Sequence, residues 1–236
     1  EVACFAHGCI LRCPTCQNWE ITYSSAEEPL TPEQAARVMT RERRAYGVDR
    51  IAISGGECTL NRRWLIGYLE ELRKLNTGKE ARFHVDTNAV ILTHDYVDDL
   101  VQAGMTDIGP DIKGLDIDTF VRISGLKDKG LAKKLLETEW NSVEHLLDQY
   151  WGKIFIGIGI PYNPDLISLG EVQRIGERIA DMEPDVQVCV LDYRPEFRRQ
   201  DIARPAFDEM VQVKDMLEGA GLRCVICQTE RGHIDP

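Results

Sequence analysis

The chemistry-bearing residues gather at the start of the chain, in His7-Gly8-Cys9-Ile10-Leu11-Arg12-Cys13-Pro14-Thr15-Cys16-Gln17-Asn18-Trp19. Cysteines spaced by four and then three residues let one short loop present three thiolates to an iron–sulfur cluster. A cubane of four irons needs four ligands, so one iron is left for a group that is not protein. Two other readings use the same residues. Zinc takes a fourth Cys or His, and Cys4 and His7 stand nearby, although a strand carrying Cys4 turns it away from the loop or into the core. A fully ligated cluster that transfers electrons or senses redox state would need a fourth cysteine, and none follows at the right spacing.

Four further polar groups each follow a short apolar run: Ser54-Gly55-Gly56-Glu57, Asp86-Thr87-Asn88, Asp111-Ile112-Lys113 and Tyr193-Arg194. The runs read as strands at Val2–Phe5, Arg50–Ser54, Arg82–Val85, Met105–Ile112, Lys153–Ile160, Val186–Leu191 and Leu222–Gln228. Between them lie helical patterns. Thr31-Pro32-Glu33-Gln34 is a capping box with proline at the first helical position, opening a helix that Gly47 ends. Trp64, Leu65, Tyr68, Leu69 and Leu72 mark an amphipathic helix over 61–75. Helices are also expected over 93–103, 131–150 (one or two), 168–182 and 205–218, whereas 21–30 reads as polar and turn-like. Strands alternating with helices mean right-handed crossovers and a parallel sheet. Six to seven βα units fall short of a closed eightfold barrel, and no linker interrupts them. The expectation is one α/β domain over 1–236, a partial, open TIM-like parallel barrel. Its strand ends share one face, so the cysteine loop and the four polar groups converge there.

Composition narrows the class. At 236 residues, 43% hydrophobic and 28% charged, the chain reads as an ordinary globular protein. A net charge of −11, from 39 acids and 28 bases, offers no basic stripe for nucleic acid. No apolar run is long enough for a membrane span, and no signal peptide is visible. Half of the eight cysteines crowd into the first 16 residues. That is a metal-site distribution, not a disulfide framework, and it points to a reducing, cytoplasmic compartment.

With these residues in place, the chain resembles the radical S-adenosylmethionine superfamily. The loop from Gly8 to Trp19 looks like the branch holding pyruvate formate-lyase activating enzyme and the AmmeMemoRadiSam-type proteins. The resemblance implies that Cys9, Cys13 and Cys16 hold a 4Fe–4S cluster whose open iron takes the amino and carboxylate groups of S-adenosylmethionine. Reductive cleavage would then give methionine and a 5′-deoxyadenosyl radical that abstracts hydrogen from a small-molecule or protein substrate. An electron donor such as ferredoxin or flavodoxin is implied too. Cofactor contacts are expected from Thr15, Gln17, Gly55, Gly56, Glu57, Asp86, Asp111, Lys113 and Arg194. Glu57 would take the methionine ammonium, and Gly55 and Gly56 would leave backbone open to the ligand. Asp86, Thr87 and Asp111 look like positions that hold a monovalent cation. Ile158 and Ile160 would form an adenine wall or simply fill the core.

Departures from that pattern matter. Thr15 stands where an aromatic residue is usual, and Cys58 where proline is frequent; Cys58 reads as a small buried thiol. Cys224 and Cys227 lie three apart on a strand and so face opposite sides, which makes joint ligation awkward and marks both as core cysteines. The stretch from Leu126 to Tyr150 is longer than a crossover needs and is a candidate cover for the site.

Overall fold

The protein is described here from a computed structural model that covers residues 1–24 and 28–236. In chain order the elements are β1 (Val2–Ala6), α1 (Trp19–Tyr23), α2 (Pro32–Tyr46), β2 (Arg50–Gly55), α3 (Arg62–Leu75), β3 (Arg82–Thr87), α4 (His94–Ala103) and β4 (Asp107–Pro110). Then follow α5 (Ile117–Ser124), α6 (Lys129–Tyr150), β5 (Phe155–Tyr162), α7 (Leu169–Met182), β6 (Gln187–Asp192), α8 (Phe207–Gly219), β7 (Cys224–Thr229) and β8 (Gly232–Ile234). The strands pair in sequence order, parallel from β1 to β7, with β8 antiparallel on β7. Among the described residues β1 pairs only with β2, so the sheet does not close. This is the open, TIM-like α/β architecture expected.

Strand periodicity divides the sheet into two faces. Phe83 and Val85 on β3, and Ile156, Ile158 and Ile160 on β5, are buried toward the helices. The alternate residues His84, Asp86, Gly109, Gly157, Gly159, Gln187 and Cys189 line a cleft on the inner face. Ile158 and Ile160 therefore belong to the core and not to an adenine wall. Each fully buried Leu or Ile on the helix side contributes about 1.5–3 kcal/mol. The amphipathic helix α3 shows why the layers hold: Leu65, Tyr68, Leu69 and Leu72 are each at most 1% exposed. The Thr31 capping box is formed, with Gln34 N–H donating to Thr31 Oγ1 and Thr31 N–H to Gln34 Oε1, and Gly47 ends α2 at φ 62°.

Inside the strand C-termini the sequence pattern is least reliable. β4 is shorter than expected because Pro110 has no N–H for the ladder. Pairing with β5 lapses there and resumes at a single bridge from Asp111 to Gly159. Three short elements escaped the periodicity: α1, then α5, which precedes one continuous α6, and the final β8. Residues 21–23 belong to α1, and part of the turn-like stretch expected over 21–30 lies outside the described residues. The long helix α6 packs against α4, α5 and α7 and does not cover the strand ends. The end of α5 reaches the cysteine loop instead: Arg12 N–H donates to Ser124 O at 2.8 Å. Gly125 (φ 69°) sits where a Cβ would fall 2.2 Å from Arg12 O.

Candidate functional site

The loop after β1 brings Cys9, Cys13 and Cys16 to the wall of one cleft at the C-terminal ends of β1–β4. Asn18, Gly55, Gly56, Asp86, Thr87, Asn88, Asp111, Lys113 and Tyr193 line it with them. Cys4 is not part of it. Its Sγ lies 3.4 Å from the Tyr68 hydroxyl of α3, on the helix side. His7 is also spent elsewhere, with Nδ1 2.9 Å from Ile21 O. Burial pushes the Cys9 thiol up to about 11 and the Cys13 thiol to about 12; in both Lys113 pulls the other way. Cys9 and Cys16 add their own charges to the rise at Cys13, as neighbouring thiols must.

The donor set fits a cluster better than a single ion. Among the described residues no group of three His, Cys, Asp or Glu side chains converges closely enough to hold one metal ion. Zinc needs its donors near 2.0–2.3 Å, whereas a cubane places each thiolate on a different iron and accepts wider spacing. The cleft offers no fourth cysteine or histidine. Cys58 is buried, with Sγ donating to Asp86 O at 3.2 Å, and Cys224 and Cys227 lie on β7 as free thiols away from this wall.

The glycine pair works differently from the expectation. A Cβ on Gly55 would stand 2.5 Å from the Ala6 backbone, and one on Gly56 2.0 Å from Gly8 O. The space is filled by the chain itself: Gly56 N–H donates to Ala6 O and Glu57 N–H to Gly8 O, both at 2.8 Å. The pair thus lets the β1 exit and the cysteine loop dock on β2, while its outer side lines the cleft. Asn18 Nδ2 fastens the far end of the loop to Gly55 O at 3.1 Å.

Glu57 is a correction. Its carboxylate is 2% exposed and turned away from the cleft. It accepts from Thr59 N–H and Oγ1, from Thr87 Oγ1 at 2.7 Å and from Asn88 N–H at 2.8 Å. With these bonds in place it has no free face for a ligand ammonium. Burial raises its pKa and the bonds from Thr59, Thr87 and Asn88 oppose that rise. Two other buried glutamates act alike. Glu139 of α6 accepts Lys113 N–H, and Glu171 of α7 accepts Leu115 N–H, Asp116 N–H and the Thr119 hydroxyl.

Asp86 and Asp111 do face the cleft, each lying over a glycine of the next strand. A Cβ on Gly109 would meet Asp86 Oδ1 at 2.8 Å, and one on Gly159 would meet Asp111 Oδ1 at 2.1 Å. Asp86 pairs with His84 Nε2 at 2.6 Å and Asp111 with Lys113 Nζ at 3.2 Å. Lys113 is 5% exposed and also reaches the Tyr193 hydroxyl at 3.4 Å. Burial opposes its charge, but Asp111, Tyr193, Cys13 and Glu139 around it outweigh that and hold its pKa well above the usual range. The cation expected at Asp86, Thr87 and Asp111 finds no cage. Thr87 Oγ1 already donates to Glu57 and accepts Ala89 N–H, and both aspartates have cationic or imidazole partners.

Three other expected contacts lie outside the cleft. Arg194 is exposed, 3.9 Å from Glu196. The neighbouring Tyr193 turns inward in its place, because adjacent residues at a strand end point to opposite sides. Gln17 is exposed. Thr15 is 1% exposed, and its hydroxyl has no partner among the described residues. Asn88 and Tyr193, by contrast, belong to the site. The Asp-Thr-Asn run carried a signal for Asn88; an apolar ring next to an arginine carried little for Tyr193.

This α/β architecture is an open barrel that sets three cysteines against polar strand ends. Residues 4–168 match the Radical SAM superfamily, and the chain belongs to that superfamily. It is 26% identical over 180 residues to a PqqA peptide cyclase of Bradyrhizobium diazoefficiens, covering 72% of this chain and 45% of that protein. Over 110 residues it is 33% identical to a probable GTP 3′,8-cyclase of Thermoplasma volcanium, covering 47% of this chain and 32% of that one. The chain thus spans less than half the length of these curated relatives. In fold it is similar to Streptococcus suis SuiB bound to its precursor peptide SuiA, with a TM-score of 0.70 at 14% identity over 92% of this chain and 44% of SuiB. No helix among the described residues is long and apolar enough to cross a membrane.

Proposed function

We propose that the chain is the core of a radical S-adenosylmethionine enzyme that cleaves its cofactor reductively and abstracts hydrogen from a substrate. The observation that carries this is a cleft with three cysteines, no fourth cysteine or histidine on its wall, and Asp86, Asp111 and Lys113 on the facing strand ends. When bound, a reduced 4Fe–4S cluster would supply the one electron for reductive cleavage of S-adenosylmethionine, and with it the capacity to abstract hydrogen.

The protein's own part is to hold and exclude. Cys9, Cys13 and Cys16 would hold the cluster from the loop after β1, whose Leu11 and Thr15 are buried. Lys113, kept cationic by its neighbours, suits the cofactor carboxylate, and Asp86 and Asp111 suit its ribose hydroxyls or ammonium. The inner-face cleft beneath the two aspartates is floored by Gly109, Gly157 and Gly159 and bordered by His84, Gln187 and Cys189. A packed barrel core would fill such positions with large apolar side chains, so this space suits a polar substrate. The loop sequence favours the activating-enzyme and AmmeMemoRadiSam-type branch, and the likeness to peptide cyclases makes a peptide or protein the first substrate class to try. An electron donor such as a ferredoxin or flavodoxin would supply the electron.

Adding S-adenosylmethionine to the reduced, reconstituted protein should change the EPR signal of the cluster. A cluster with four irons per chain whose signal ignores the cofactor would identify the non-catalytic iron–sulfur protein instead. A colourless protein loaded with zinc would remove both.

A further inference from the structure

We infer that Asn88 donates a hydrogen bond to the thiolate of Cys9 and so sets the reduction potential of the cluster, an inference that rests on the cluster reading above. Asn88 Nδ2 lies 3.5 Å from Cys9 Sγ, across 79 residues of sequence. The amide end that faces sulfur is fixed by its other end, since Oδ1 accepts Val90 N–H at 3.3 Å. A flipped amide would lose that bond and set oxygen against a thiolate.

The donor is rigidly mounted. Asn88 N–H is held by Glu57 Oε2 at 2.8 Å, and the preceding Thr87 hydroxyl by Glu57 Oε1 at 2.7 Å. Thr87 Oγ1 in turn accepts Ala89 N–H at 3.0 Å. Ala89 takes φ 56°, a left-handed conformation that a non-glycine residue adopts only when its surroundings impose it. Asn88, Ala89 and Val90 are all buried. The carboxylate expected on a ligand ammonium therefore acts as the anchor of a sulfur-facing amide, which makes Glu57 a positioning residue.

The three thiols differ in what surrounds them. Cys9 Sγ receives Leu11 N–H at 3.4 Å in addition to Asn88, Cys16 Sγ has the Thr22 hydroxyl at 3.9 Å, and Cys13 Sγ has no hydrogen-bond partner among the described residues. Hydrogen bonds to cluster sulfurs stabilise the more negative, reduced state and raise the potential. Asn88 is the nearer of the two side chains placed to do so, the Thr22 hydroxyl being the other.

The test is an EPR-monitored redox titration of the reconstituted full chain. Asn88→Leu removes the donor, and Asn88→Asp keeps the shape and the Val90 acceptor but turns an oxygen toward sulfur. Both should keep about four irons per chain. At a fixed ambient potential the ratio of reduced to oxidised cluster should fall about threefold in Asn88→Leu, or roughly 28 mV at about 59 mV per tenfold for one electron. Asn88→Asp should fall further, Glu57→Gln should move the same way with the amide still present, and Thr22→Val should move least. An unchanged midpoint in Asn88→Leu overturns the inference, and so does loss of the cluster from both Asn88 variants, which would make the residue part of assembly. One loaded variant is enough to decide. If the unmodified chain takes up no cluster, the functional reading fails instead.

Discussion

At the N-terminal ends of β2, β3 and β4, charge is paired side chain to side chain. Arg50 Nε and Arg82 Nη2 close on the fully buried Asp107 carboxylate at 2.9 and 2.7 Å, tying three strands together. At the C-terminal ends the buried carboxylates of Glu57, Glu139 and Glu171 bind backbone N–H groups and hydroxyls of the loops. The first arrangement fixes strands relative to one another, with Arg50 also at the edge of the inner-face cleft. The second fixes the loops by their backbones, which frees Asp86, Asp111, Lys113 and Asn88 to present side chains to the cysteines. One end of the barrel is built to stay in register, the other to present chemistry.

Substitutions at the two ends should separate stability from chemistry. The largest effect is expected from Cys13→Ala: iron content and absorbance of the reconstituted protein should fall close to zero, because two thiolates rarely retain a cubane. Asp107→Ala should do the opposite, keeping iron at the unmodified level while urea unfolding shows a loss of about 3 kcal/mol. That lies at the low end for a broken buried pair, since both arginines reach water. If it strips the cluster as well, the two ends are not independent.

Glu171→Ala leaves Leu115 N–H, Asp116 N–H and the Thr119 hydroxyl without their acceptor and should cost about 1–3 kcal/mol. Glu139→Gln keeps an acceptor for Lys113 N–H and should cost less, with the loss read as weaker S-adenosylmethionine binding by calorimetry. The smallest effect lies far from both ends. Hydrogen bonds from His145 and Tyr150 hold the Asp98 carboxyl below its usual pKa. A depressed pKa gives stability that is present above the ordinary carboxylate range and lost as pH falls through the lower folded value. Asp98→Asn should therefore lose less than about 1 kcal/mol at neutral pH, this pair being half-exposed, and converge with the unmodified chain in acid.

The cysteine loop is legible from sequence because three cysteines lie within eight residues at a spacing that suggests coordination. Asp86, Asp111 and Lys113 were legible because a parallel barrel sends every strand end to one face. Glu139 and Glu171 were not. An acid inside an amphipathic helix reads as a solvated side chain until the loop it meets is known. Glu57 directly follows the glycine pair that lines the cleft, yet its own side chain turns into the protein, toward Thr59, Thr87 and Asn88. Arg194 and Tyr193 were exchanged for the same reason. A one-residue step at a strand end reverses the direction of the side chain, and pattern alone does not say where the strand stops.

If the three-cysteine site works as proposed, S-adenosylmethionine binds beside Cys9, Cys13 and Cys16 and is cleaved to a radical. Anaerobically reconstituted protein, with about four irons per chain, should be incubated with dithionite and S-adenosylmethionine and the products separated by chromatography. Methionine and 5′-deoxyadenosine released in equal amounts, and absent from Cys13→Ala, are the expected result. A fully loaded cluster that binds the cofactor and yields neither product would rule out radical S-adenosylmethionine chemistry at this site.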